Sequence, residues 1–195
     1  MANPEHLALA RRYAGGEHGL RLEMLDLSDA DLSGLDFFEA WLRDTNLNGA
    51  TLRQCSFVGA SMPGTNFSRA DLSDADMHGT IAAGAIFVQA RLVKANLRAI
   101  DLYGADLTGA DLSQADLTQA DLSLVQATQV NFSGARLTRA ILFRANLSQA
   151  DLRGTDLAQA QNVSNTNFTG ALLPAEYQPA NTPRRSRFAK GFFGG

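Results

Sequence analysis

Residues 105–123 read ADLTGADLSQADLTQADLS: an alanine, an aspartate and a leucine, then two small or polar residues, repeated without a gap. The large apolar residue of this unit returns every five positions from Leu22 to Leu157, as leucine, phenylalanine or methionine at every step except Ala82 and Ala127. A period of five fits neither regular element. A helix of 3.6 residues per turn would smear these side chains around its circumference, and a strand would alternate them between opposite faces. Self-similarity at a fixed short step is the mark of a solenoid, whose units bury their apolar side only by stacking on one another. A second periodic position agrees with this. Two residues before many of the large ones stands an alanine, as at Ala30, Ala40, Ala50, Ala60, Ala70, Ala75, Ala105, Ala110, Ala115 and Ala120. Each unit therefore turns one large and one small side chain inward and three side chains outward.

Over roughly residues 20–173 the chain resembles the pentapeptide-repeat proteins, whose consensus is A(D/N)LXX. The resemblance implies an all-β solenoid: a right-handed, quadrilateral parallel β-helix with one pentapeptide per side and four per turn. The units centred on Leu22 through Leu157 would then make about seven coils, a rod about 34 Å long at ~4.8 Å per stacked layer. A coil of twenty residues puts Phe37 over or under Phe57, and Phe67 over or under Phe87, so each pair is expected to stack inside the rod. Ala82 and Ala127 leave inward sites short of volume. A missing large side chain forfeits about 2–5 kcal/mol of packing, so slack or compensation from neighbours is expected at both.

The chain divides into an N-terminal segment, 1–19, the repeats, 20–173, and a C-terminal tail, 174–195. Asn3-Pro4-Glu5 is a helix start, with a capping residue, a proline in the first turn and an acid. Leu7, Ala10 and Tyr13 share a face, and Gly15-Gly16 stops the run, so residues 4–14 read as a short helix capping the open first coil. At the other end the large residue arrives one step late, at Val163, Phe168 and Leu173, which places an extra residue near 158–162. The tail carries Arg184, Arg185, Arg187 and Lys190 among Phe188, Phe192 and Phe193. It reads either as a cover for the last coil or as a peptide that docks on an anionic membrane, a nucleic acid or a partner.

Cys55, the only cysteine, falls on an inward small position and forms no disulfide framework. No N-terminal apolar run has signal-peptide length and nothing approaches a membrane span, so the cytoplasm is the expected location. Signs of catalysis are missing. His6, His18 and His78 share no ligand spacing, no Cys/His cluster suggests zinc, and there is neither a phosphate loop nor a nucleophile elbow. The aspartates before the leucines occupy the repeat's ordinary outward position. We expect no enzyme, no cofactor and no metal.

Sorting units onto four sides in rotation collects large apolar residues on the side of Leu22, Leu42 and Met62. Its outward positions include Met24, Trp41, Pro63, Ile81, Tyr103, Leu124, Ile141 and Phe143, and Phe38 and Val58 lie near the same edge. These ten residues are the candidate interaction surface, since apolar patches with aromatic anchors are what partners bind. The occupant is an unidentified protein, a second copy in a homodimer, or the chain's own termini. The expected function is a non-catalytic rod that presents this side to a protein. The alternative, which the family resemblance supplies, is a mimic of DNA that modulates DNA gyrase or topoisomerase, as quinolone-resistance pentapeptide proteins do. That role calls for dense stacked acids. Residues 20–173 hold 17 acids against 11 bases, and only Asp101 and Asp121 pair on adjacent coils at the position before the leucine. Duplex DNA carries one charge per ~1.7 Å, far more than this, and direct binding of nucleic acid is not expected either.

Overall fold

The computed structural model describes residues 1–16 and 21–177. The tail from residue 178 onward, to which the sequence assigns a covering or docking role, lies outside the described residues, as does His18.

Parallel bridges join residues twenty apart along four ladders, which begin at Asp26↔Asn46, Asp31↔Thr51, Asp36↔Ser56 and Trp41↔Ser61. The chain thus makes four corners in twenty residues, and one pentapeptide forms each side. The corners are tight turns closed by hydrogen bonds such as Ala50 N–H to Leu47 O, 3.1 Å. Their third residue has positive φ at every fifth position from Met24 to Gly154. A single reversal of this kind is the geometry of a type II turn. Ordinary side chains disfavour it, and many of these sites hold glycine for that reason.

Inside, large and small side chains alternate as the period requires. Every large inward residue from Leu22 to Leu157 is buried. Phe37 stacks on Phe57 with centroids 5.1 Å apart, and Phe67 on Phe87 at 4.8 Å; the rings are within 10° of parallel in both pairs. Phe57 meets Phe67 edge-on at 6.3 Å, which joins the two stacks. Around Ala127 the lost volume is restored by neighbours in the same coil: Phe132 follows it, and the small positions on either side hold buried Val125 and Val130 in place of alanine. Ala82 is likewise followed by buried Phe87. Threonines at small positions keep their hydroxyls satisfied: Thr45, Thr65 and Thr80 donate to the carbonyls of Leu22, Leu42 and Phe57 one coil away. Burial pushes the Cys55 thiol up to about 11, against hydrogen bonds from the backbone of Leu35 and Gly34 and with a lesser push from Asp31. It is therefore an unreactive core residue.

Helix α1, Pro4–Ala14, closes the first coil. Asn3 caps it by accepting from the Glu5 N–H, 2.9 Å. Ala10 and Tyr13 are buried and Leu7 packs against the core. Tyr13 lies over Phe37 at 6.4 Å, where the ring of a preceding coil would lie. The helix also substitutes for the missing coil in hydrogen bonding. His6 Nδ1 accepts the Asp26 N–H, 2.8 Å, the Asn3 N–H donates to Asp26 O, 3.1 Å, and the Tyr13 hydroxyl donates to Phe38 O, 2.7 Å. Near the other end, a 3₁₀ turn, Leu157–Gln159, absorbs the extra residue. Asp156 accepts there from the Leu137 N–H and the Thr138 hydroxyl. The ladders then resume with a spacing of twenty-one, as in Ile141↔Asn162 and Asn146↔Asn167.

Candidate interaction surface

What each pentapeptide's surface can hold follows from where its five N–H groups go. In residues 45–49 the Thr45 N–H closes the preceding turn on Leu42 O and the Asn46 N–H reaches back one coil to Leu25 O. Those of Leu47 and Gly49 reach forward one coil to Asn66 O and Ser68 O. The fifth, on Asn48, points outward and is accepted by Oδ1 of Asn46 at 3.1 Å. A short acidic or amide side chain two residues earlier makes this local bond well, and a serine or threonine hydroxyl only weakly. The same bond recurs around the rod, for example from Ser28 to Asp26, His78 to Asp76, Thr108 to Asp106 and Ser113 to Asp111. The aspartates of the repeat are thus backbone caps as well as solvent-facing groups.

The cap is missing at several positions, among them the polar residues Thr51, Ser56, Arg91, Gln126 and Arg136, and the informative ones are those where an apolar residue replaces it. Large apolar residues stand there at Trp41, Ile81, Ile86 and Ile141. Among the described residues, the N–H groups of Arg43, Ala83, Val88 and Phe143 find no protein acceptor. Trp41, Ile81 and Ile141 lie on one ladder, Trp41–Ser61–Ile81–Asp101–Asp121–Ile141, while Ile86 and Leu172, which also stands at this position, lie on two others. A net hydrogen bond is worth about 0.5–1.5 kcal/mol, so the rod forgoes stability at these points to display apolar surface.

The structure divides the ten candidate residues. Met24, Phe38, Trp41, Ile81 and Tyr103 are exposed, between 43% and 73% of full accessibility. Val58, Pro63, Leu124, Ile141 and Phe143 are half-buried. Four of the exposed five lie in the N-terminal half of the repeats, and Tyr103 lies just past the middle. Carboxylates of Asp101 and Asp121 interrupt the ladder between Ile81 and Ile141, so the side presents two apolar areas rather than one stripe. Cations accompany both: the Arg21 guanidinium lies over Trp41, 5.0 Å from the ring centroid, and Arg144 lies over Phe143 at 5.1 Å. A groove of about 510 Å³ runs beside Ile141, lined also by Gln119, Arg139 and Gln161. Helix α1 sits at the end of the rod, with Tyr13 bonded to the Phe38 carbonyl. Leu172, exposed on the last turn, was not among the ten; it too stands where the repeat expects Asp or Asn, and that departure was its one signal.

On other sides several of the acids are matched by arginines. Asp71 has Arg53 at 3.1 Å and Arg91 at 4.0 Å, and Asp116 has Arg98 at 3.4 Å and Arg136 at 3.9 Å. At Asp71 desolvation pushes the carboxyl up, but hydrogen bonds from Ser73 and Arg53 outweigh it and hold the group below its usual range. At Asp116 desolvation is likewise outweighed, by bonds from Thr118, the charge of Arg136 and a bond from Arg98. Asp26 and Asp31 are lowered mainly by the side-chain and backbone bonds of Ser28 and Ser33, and Asp151 by Arg153. No group of three or more metal-ligating side chains forms among the described residues, and no helix there is long and apolar enough to cross a membrane.

Four ladders of stacked pentapeptides, with an inward large and small residue in each unit, define a parallel β-solenoid whose outward residues are free to vary. The description "Pentapeptide repeats" matches the chain in 8 copies, over residues 45–81, 70–109, 85–123, 105–143, 120–159 and 140–173. The chain belongs to the pentapeptide-repeat family, whose members form right-handed quadrilateral β-helices. Among solved structures it is similar to HetL of the cyanobacterium Nostoc sp. strain PCC 7120, a pentapeptide repeat protein involved in regulating heterocyst differentiation. That match has 26% identity and a TM-score of 0.44 over 90% of this chain and 98% of the other. A pentapeptide repeat protein of the Arabidopsis thaliana thylakoid lumen has 28% identity and a TM-score of 0.38, over 61% of this chain and 69% of that one. Trypsin-treated QnrB1, a plasmid-mediated fluoroquinolone resistance protein, has 20% identity and a TM-score of 0.40, over 77% of this chain and 78% of the other. No curated protein matches the chain.

Proposed function

We propose that this protein is a non-catalytic scaffold: a right-handed rod of about seven coils that offers the side bearing Trp41, Ile81 and Tyr103 to a protein, either a partner or a second copy. The observation that carries the reading is that three of the five large apolar residues at the cap position, Trp41, Ile81 and Ile141, share one ladder, whereas on the other ladders the cap is replaced mostly by polar residues, Thr51, Ser56, Arg91, Gln126 and Arg136. Aromatic and aliphatic anchors at the exposed positions are what interface centres use. The DNA-mimic alternative draws no support from the surface, because Asp71, Asp116 and Asp151 are each neutralised by arginine. The reading also places the rod in the cytoplasm, where its single buried thiol stays reduced; cell fractionation tests that location.

The test is solution mass by light scattering, on wild type and on Trp41→Asn/Ile81→Asn. Asparagine restores the missing caps, so the variant keeps its fold. A wild-type dimer that becomes a folded monomer supports self-association through this side. Where both are monomers, a pull-down with the pair decides: a protein retained by wild type and lost by the variant supports a heterologous partner. A variant that keeps the wild-type mass and every bound protein overturns the proposal.

A further inference from the structure

Between Trp41 and Tyr103 the apolar side repeats every second coil. Trp41 and Ile81 are linked through Ser61 by two successive bridges, so they stand two layers apart, about 9.6 Å at ~4.8 Å per layer. The N–H groups left without a protein acceptor, on Arg43 and Ala83, share that spacing. The coil between them offers no outward donor, because Pro63 occupies the equivalent position. In the coil beyond, the Tyr103 N–H is already accepted by Asp101, 2.9 Å. The floor between the two donors is low: Ser61, Pro63 and Ala83 are small, and Gly84 has open space above it. Exposed Trp41 and Tyr103 stand at its two ends, three layers or about 14 Å apart.

An occupant of this side has to bring hydrogen-bond acceptors to two donors about 9.6 Å apart, and apolar groups to Trp41 and Ile81 at the same interval. The middle of an α-helix has no free carbonyls to give. A strand turns the same edge to a surface every two residues, about 6.8 Å, and misses the interval. A polyproline II segment makes no internal hydrogen bonds, so its carbonyls are free, and it repeats every three residues, about 9.3 Å. Lying along the rod, it meets both donors and both anchors with residues three apart. Aromatic side chains beside the segment are a recurring way of holding such a helix. A second folded copy fits less well: the exposed apolar residues here are few beside the ~20–30 residues a side of a standard protein interface.

We infer that the protein docking on this side presents a proline-rich segment in the polyproline II conformation, an assignment that rests on reading the side as a docking surface. The segment lies along the rod axis from Trp41 to Tyr103 and accepts hydrogen bonds from the N–H groups of Arg43 and Ala83.

The probe is a fluorescein-labelled peptide of four Pro-Pro-Leu units, whose leucines recur on one face at the interval of Trp41 and Ile81. Its control has the same composition with all the leucines adjacent. Binding to the full-length chain is read by fluorescence polarisation, and circular dichroism checks the fold of each variant. The wild type should bind the periodic peptide saturably and at least about tenfold tighter than the control. Ala83→Pro removes one donor and keeps the apolar side. Residue 83 is the second residue of the turn closed by Ala85 N–H on Ala82 O, where proline is favoured and where Pro63 stands one coil earlier. This variant should bind about 2–10-fold more weakly, the worth of one net hydrogen bond. Ala83→Ser keeps the N–H and should bind as the wild type does, and Trp41→Asn/Ile81→Asn should not bind. Absence of saturable binding, equal binding of the control peptide, or equal binding by Ala83→Pro overturns the inference. Failure of the docking surface itself shows elsewhere, in a Trp41→Asn/Ile81→Asn protein that keeps the wild-type mass and every bound protein, so the two failures are told apart.

Discussion

Asp101 and Asp121 face each other across one bridge, the one place on the rod where two acids stack at the cap position. Each carboxylate already accepts a backbone N–H, from Tyr103 at 2.9 Å and from Ser123 at 2.8 Å. Changing Asp121 to asparagine leaves that acceptor in place and alters two other terms. It removes a repulsion that, at ~5 Å in water, is about 1 kcal/mol before screening and about half that at moderate salt. It also adds a donor. Where asparagine follows aspartate by one coil elsewhere, its Nδ2 bonds the aspartate Oδ1, at 3.0 Å from Asn46 to Asp26, 2.9 Å from Asn96 to Asp76 and 3.0 Å from Asn131 to Asp111. An exposed bond of that kind contributes about 0.5 kcal/mol. Asp121→Asn should therefore stabilise the protein by about 1 kcal/mol, a rise in Tm of roughly 2–4 °C for a chain of this size. Denaturant titration at 0.1 M and 1 M salt separates the terms: the repulsive part vanishes at high salt and the hydrogen bond persists. Asp121→Ala is the control, since it loses the cap of Ser123 and should fall below Asp121→Asn by about 1 kcal/mol. A loss of 1 kcal/mol or more in Asp121→Asn would refute the reasoning, because it would mean that the pair holds a cation or a partner's basic group.

Leu112→Asp places an unpaired carboxylate at a fully buried inward site and should prevent folding; a soluble variant with wild-type circular dichroism would contradict the register. His6→Ala leaves the half-buried Asp26 N–H without its acceptor and should cost about 1–3 kcal/mol, read by denaturant unfolding, with the exchange of the first coil affected most. Acid should weaken the rod through Asp26, Asp31, Asp71, Asp116 and Asp151, whose carboxyls are held below their usual range in the folded state. A depressed folded pKa contributes stability that is fully present above the unfolded value, near ~3.9, and is lost as pH falls through the folded value. Measured in the His6→Ala background, which removes the imidazole acceptor, the unfolding midpoint should thus be flat from pH 7 to about 5 and drop below about 4; a midpoint unchanged at pH 3 would contradict the assignment.

The interior was legible in the sequence because a five-residue period has one solution once the family resemblance supplies twenty residues to a coil. Leu112, Ala110 and the stacked phenylalanines follow from counting. So did the cap at Asn3 and the face of Ala10 and Tyr13, since helix signals are local. The extra residue near 158–162 could be placed but not given a shape; the 3₁₀ turn and the bonds of Asp156 that hold it depend on Leu137 and Thr138, a coil away. His6 could not be assigned, because its acceptor role exists only where α1 meets the first coil.

For the surface the sequence determined which residues point outward and on which side, because period and coil length fix direction. Tertiary structure decided what those positions mean. Stacking leaves one N–H per pentapeptide facing out, which turns Asp106 into a backbone cap and Ile81 into a missing one. It also separates exposed Trp41 from half-buried Phe143, although both are large aromatics on the same side. Exposure is a property of neighbours twenty residues away, and a local pattern carries no record of them.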